Sequence, residues 1–236
     1  RQVEASMRKV KRELIAAKGR GDDEEYTTKA VRYRRLNEEY EAFSKAAGLR
    51  SQRERGNIAE FGAYAARETN RAYRELVKKA EGMYDTGSEN GNVDAYLRDL
   101  PIRRRIQNEY SHEMNVGQQN KHYPGTNEYN MYVQKQQKLG LYGPSIVTVT
   151  QDELKELFNQ YSSTGIIMRD EKIGRWKEAE LITTNDKIIG QTVDLQTGEK
   201  IDTSCFTIHY SRKKGWHIVP AYADNKGRED SYVQHQ

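Results

Sequence analysis

The segment FTIHYSRKKGWHIVP, residues 206–220, carries two of the chain's five histidines, His209 and His217, with Ser211 between them. Imidazole is the side chain whose ordinary pKa lies near neutrality, so two of them together can accept and return protons at physiological pH. Strand geometry says whether they meet. Side chains in a strand alternate between faces. Phe206, Ile208 and Tyr210 then lie on one side, and Thr207, His209 and Ser211 on the other. RKKG reads as a hairpin tip, with Lys213-Lys214-Gly215 as a three-residue loop and the glycine left-handed. That register sets Ser211 opposite His217 and Tyr210 opposite Ile218. The expectation is an apolar face of Phe206, Ile208, Tyr210, Trp216 and Ile218, and a polar face of Thr207, His209, Ser211 and His217. A four-residue loop would separate the histidines and mix the apolar pattern, which disfavours it.

The elements that must hold this hairpin come from a very polar chain. Its 236 residues are 31% charged and 35% hydrophobic, and the mean hydropathy is −1.02. One large core is not expected; long solvated helices with one small core fit better. No apolar run approaches the ~20 residues of a membrane helix. Cys205 stands alone, so neither an internal disulfide nor a cysteine metal cluster can form. The formal net charge of +4 resides in residues 1–113, while residues 114–236 balance. Acidic and basic residues alternate in the first half, the pattern of a solvated helical surface more than of a nucleic-acid patch. The start at Arg1 points to a piece of a longer polypeptide.

Residues 1–86 read as helix. Val3, Met7, Val10 and Leu14 have the spacing of a coiled-coil seam, and Tyr26, Tyr33, Leu36, Tyr40, Phe43 and Ala47 continue it after the break KGRGDDEE. Ile58, Phe61, Ala65, Ala72, Leu76 and Met83 form a third stripe. No stripe circles its helix, so the helices pack on one another or on a partner. EGMYDTGSENGNVD marks a linker, and IRRRIQ follows on a short basic helix, together spanning 87–116. Residues 120–132 read as a loop punctuated by proline and glycine. TQDELKELFNQY is a helix opened by a capping box of Thr150 and Glu153. Short strands are expected near 165–169, 179–184, 187–193, 204–212 and 216–219, with the sheet wholly after residue 160. The class is α+β: a charged, coiled-coil-like helical region, then a small antiparallel-sheet domain with one capped helix.

NKHYPGTNEYN, DKIIGQTVDLQTGEK and FTIHYSRKKGWHIVP resemble the polymorphic toxin type 50 domain over about residues 117–220. That family is a predicted ribonuclease toxin with a barnase/EndoU/RelE-like fold. YRRLNEEYEAFSKAAGLRSQRERGNIAEFG, within residues 1–62, resembles the tail of phage minor capsid proteins. Together they imply a phage minor head protein carrying an endoribonuclease, placed in the virion or the bacterial cytoplasm, with residues 221–236 as a flexible tail. They imply RNA as substrate, cleavage by the 2′-OH without metal or other cofactor, docking on portal or capsid proteins, and an immunity protein as a further partner. His209 is the first candidate for acid–base catalysis. His122, in the KHYPGT loop, is the second, joined by His217 and by Glu180, which matches an acidic position of the family. Lys121, Ser211, Thr207, Lys213 and Lys214 are candidates for holding phosphate. His112 and His235 lie outside the motifs and read as surface residues.

Other chemistries fit less well. Histidines at 122, 209 and 217 lack the close pairs of zinc motifs. Ser211 has no glycine-flanked elbow and no third triad member. The competing reading is not enzymatic: a virion or assembly protein whose small domain binds rather than cuts.

Overall fold

The computed structural model describes residues 1–48 and 52–223. His235 and all but the first three residues of the expected 221–236 tail lie outside them. The chain divides into two compact units, Arg1–Arg98 and Asp99–Gln236.

The first unit is helical. Helix α1 (Gln2–Arg20) ends where Gly21 turns left-handed at φ 68, and its N–H reaches back to Lys18 O. Helix α2 (Asp23–Ala46) starts at once, because the Asp22 carboxylate accepts from Glu25 N–H at 2.9 Å. Helix α3 (Gln52–Tyr64) passes through a π-helical turn, Ala65–Thr69, into α4 (Asn70–Glu81). The seams close on one another: Met7, Val10 and Leu14 pack with Ala30, Tyr33, Tyr40, Phe61 and Ala65. Tyr40 meets Phe61 edge-on at 5.5 Å. Lys11–Glu60 and Lys18–Glu68 ion pairs border this core. Phe43 departs from the expected stripe and is 60% exposed.

Helix α5 (Glu89–Glu109) crosses the boundary between the units. The basic run on it is not a uniform surface. Ile102 and Ile106 are buried, and Arg103 is buried too, donating to Ser163 O at 2.7 Å. In the second unit follow α6 (Val116–Gln119), a 3₁₀ turn (Asn120–His122), α7 (Asn127–Lys138), β1 (Ile146–Val147), α8 (Gln151–Tyr161), β2 (Ile166–Arg169), β3 (Trp176–Ile182), β4 (Gly190–Val193), β5 (Lys200–Thr203), β6 (Phe206–His209) and β7 (His217–Pro220). The strands form two antiparallel sheets, in the orders β1-β4-β5 and β2-β3-β6-β7. Among the described residues no helix is long and apolar enough to cross a membrane.

The α+β class stands, with three corrections in detail. Residues 120–132 are not one loop. Pro124 and Gly125 only interrupt the chain, and Thr126 then caps α7 by accepting from Tyr129 N–H at 3.2 Å. The sheets do not lie wholly after residue 160, since β1 pairs Ile146 with Gln191. The hairpin register also differs. His209, not Ser211, lies opposite His217, and Ile208, not Tyr210, opposite Ile218. Beyond the His209–His217 pair the chain leaves the ladder, and the backbone groups that face away from the hairpin bond elsewhere. Tyr210 N–H goes to Glu178 O at 2.7 Å, and Trp216 N–H to Glu113 O at 2.9 Å. The connection therefore spans 210–216, with Gly215 left-handed at φ 89 as expected.

The core lies under one face of the four-stranded sheet. Helix α8, held by its capping box, stacks Phe158 on Trp216 at 4.3 Å and sets Tyr161 edge-on to Phe206 at 5.8 Å. Gly215 is the fixed point of the hairpin end. A Cβ there would sit 2.0 Å from Glu113 O, on backbone that cannot yield. Left-handed backbone costs a non-glycine residue about 1–2 kcal/mol before any clash. Gly215→Ala is therefore expected to lower unfolding stability by more than about 2 kcal/mol, read as a drop in urea midpoint at unchanged slope.

Candidate active site

His209 and His217 face each other across the β6–β7 ladder. Their rings stack, with centroids 4.9 Å apart and planes 18° from parallel. A third ring, His122, lies on the other side of His217 at 6.2 Å and 16°. The three imidazoles thus form a column in the order His122, His217, His209. The strands supply two of them by register. The third arrives on the 3₁₀ turn between α6 and α7, and its Nδ1 lies 2.8 Å from Ser145 O, just before β1. A carbonyl only accepts, so Nδ1 carries the hydrogen and Nε2 keeps the lone pair. His122 is buried, while His209 and His217 keep some exposure.

The electrostatics of the column are one-sided. Burial holds His122 and His209 down to about 4. Burial and the flanking rings take His217 to about 2, with Lys121 adding to the repulsion. Lys121 itself is pushed below its usual range by burial and by Lys135. Its Nζ donates to Gln118 Oε1 at 2.8 Å and lies 5.8 Å from the centre of the Tyr132 ring. The column is thus a set of neutral bases beside a cation, an arrangement that favours an anion. Among the described residues no group of three or more His, Cys, Asp or Glu is arranged to hold a metal ion.

The other predicted site residues lie elsewhere. Glu180 pairs with Ile208 and Ile167, one residue out of step with His209 in the β3–β6 ladder, so it projects to the opposite, core-facing side. It is completely buried. Its carboxylate accepts from Ser163 N–H at 2.7 Å, Gly165 N–H at 2.9 Å and the Tyr210 hydroxyl. Burial pushes its pKa up, and those donors and Arg103 oppose this. The position fits a staple between the α8–β2 turn and β3, out of reach of the column. Ser211 sits in the hairpin turn, where its Oγ accepts from Lys214 N–H at 3.3 Å. Lys213 and Lys214 are exposed in that turn. Thr207 is on the histidine side but 4% exposed, between Leu181 and Val219. His112 is exposed. Sequence reasoning missed Ser145, Gln118 and Gln119, which hold the 3₁₀ turn. The partners of Ser145 and Gln119 are distant in the chain, so no local pattern marks them; Gln118 meets Lys121 only three residues on.

Residues 114–220 match the model of the family described as Bacterial toxin 50. The match spans β1 to β7 and all three rings of the column, so the region that builds the site is the region similar to a bacterial toxin domain. No curated protein and no solved structure matches the chain.

Two consequences can be measured. The imidazoles are neutral when folded but take protons near pH 6.5 when unfolded. The unfolded chain therefore binds more protons below that pH, and stability falls as pH drops from 6.5 toward the folded values. Between pH 6.5 and 5.5, above the range of ordinary carboxylates, the melting temperature is expected to decline, and His217→Gln to flatten that decline. Glu180→Ala leaves two buried N–H groups unpaired. It is expected to cost about 3 kcal/mol or more in chemical denaturation.

Proposed function

We propose that the column is the site of an endoribonuclease that cuts RNA by attack of the ribose 2′-OH, without metal. The observation that carries this reading is the stack of three imidazoles beside Lys121, the rings kept neutral by burial. In-line cleavage needs a base for the 2′-OH, an acid for the leaving 5′-oxygen and a cation for the phosphate. His122 takes the 2′ proton on Nε2. O2′ bonds to phosphorus as the P–O5′ bond breaks, and O5′ takes a proton from His209. The products are a 2′,3′-cyclic phosphate and a 5′-OH. His209 acquires that proton when the phosphodiester anion arrives, because a nearby negative charge favours imidazolium. Lys121 holds the anion. His217, between the other two rings, keeps base and acid apart.

The match to a toxin family supports a cell-damaging activity of this kind. A producing cell would then need an immunity protein. The helical unit we read as the carrier that belongs to a phage minor head protein, on its motif resemblance alone; co-sedimentation of the full chain with capsids tests that part.

The catalytic reading is tested with the full chain, total RNA and EDTA, followed by analysis of fragment ends. Cleavage with cyclic phosphate and 5′-OH ends is expected. His122→Ala and His209→Ala are each expected to lose about 10²–10⁴ in rate. Lys121→Ala should weaken substrate binding and flatten its salt dependence. Loss of cleavage in EDTA with recovery on adding metal would overturn the reading, as would full activity in both histidine variants. A chain that binds RNA and cuts none would favour a binding module.

A further inference from the structure

Gln119 is completely buried, and its amide makes two bonds to one residue. Nε2 donates to Ile218 O at 2.9 Å, and Oε1 accepts from Ile218 N–H at 2.8 Å. A side-chain amide is here doing what a neighbouring strand does for a ladder residue. It does so where β7 ends the sheet order and Ile218 would otherwise lack a partner. The same stretch is tied to the hairpin again nearby, by Trp216 N–H to Glu113 O at 2.9 Å and Asn115 N–H to Trp216 O at 2.7 Å. Residues 113–115 thus pair with the edge of β7, α6 follows beside it, and Gln119 at the end of α6 is the last attachment.

Directly after Gln119 the chain enters the 3₁₀ turn that bears Lys121 and His122. Ile218 directly follows His217, so the amide anchors the turn beside the middle ring of the column. The Ser145 carbonyl holds the far side of His122. Between these two holds the ring has little freedom. We propose that Gln119 is the positioning residue of the site: its amide, by pairing with the Ile218 backbone, sets Lys121 and His122 in stacking register with His217. This rests on reading the column as the ribonuclease site, where a misplacement of about 1 Å costs on the order of 10²-fold in rate.

The test uses the full chain with Gln119→Met, which keeps the length and loses both bonds. Gln136→Met is the control. Gln136 is also a buried glutamine, on α7, but its Oε1 has no partner. Two readouts are taken well below the melting temperature. The first is kcat and KM on an RNA oligonucleotide. The second is the tautomer of His122 by ¹⁵N-resolved imidazole NMR. The expected result for Gln119→Met is a fall of about 10²-fold in kcat with KM little changed. The His122 Nδ1–H tautomer signature should become mixed, and Gln136→Met should match wild type in both. If Gln119→Met does not fold, Gln119→Glu, which keeps shape and one acceptor, is read in the same way. A folded variant with the wild-type tautomer and undiminished kcat overturns the proposal. So does loss of activity that only tracks the unfolded fraction. If the wild-type chain cuts no RNA, the ribonuclease reading fails, and the NMR arm still decides whether Gln119 fixes His122.

Discussion

The pairing of His209 with His217 at the last rung of the β6–β7 ladder is the constraint on which the rest depends. Beyond the rung the backbone groups that face away from the hairpin bond elsewhere, Tyr210 to Glu178 and Trp216 to Glu113. Those commitments bring in other parts of the domain. Glu178 adopts a positive φ of 54 on β3, and residues 113–119 run along the outer side of β7. The outward bonds of the hairpin therefore deliver the segment that carries the third imidazole. The apolar partners of the rung, Phe158 stacked on Trp216 and Ile208 against Ile218, hold it from the other side of the sheet.

The two faces of this sheet solve opposite electrostatic problems. On the core side, the carboxylate of Glu180 is surrounded by donors: two backbone N–H groups, the Tyr210 hydroxyl and, nearby, Arg103. A buried carboxylate so supplied is a structural bond among α8, β2 and β3. On the other side, the histidines repel one another's charged forms, and burial reinforces that repulsion. A protein interior tolerates such a group of bases by keeping it neutral. The arrangement is costly for stability in acid and useful where an anion is to be received.

The helical unit follows a simpler logic. Its apolar stripes are narrow, so each helix needs neighbours, and α1, α2 and the α3–α4 pair supply them for each other. Ion pairs such as Lys29–Glu13 sit on the rim, where solvent screening leaves them a small share of stability. What this unit shows outward is charged, apart from isolated apolar residues such as Phe43 and Ile15.

The sequence alone determined what depends on local periodicity. The helical stripes around Met7, Val10 and Leu14, the Thr150–Glu153 cap, and the left-handed Gly215 were legible because neighbouring residues decide them. So was the sharing of one face by His209 and His217. The true register is displaced from the expected one by an even number of residues, and alternation with period two survives an even shift. Tertiary structure decided everything set by distant partners. The helix after Thr126 was masked by the Pro124-Gly125 break, and β1 is too short to show a pattern. Glu180, a catalytic candidate by its family-like position, is turned away from the histidines by the β3–β6 register. Ser211 lost its place opposite His217 because the ladder pairs His209 there, two residues from the expected register. Gln119 and Ser145 gained their places through bonds that no spacing in the chain announces, because an amide and a carbonyl acquire meaning only from what the fold sets beside them.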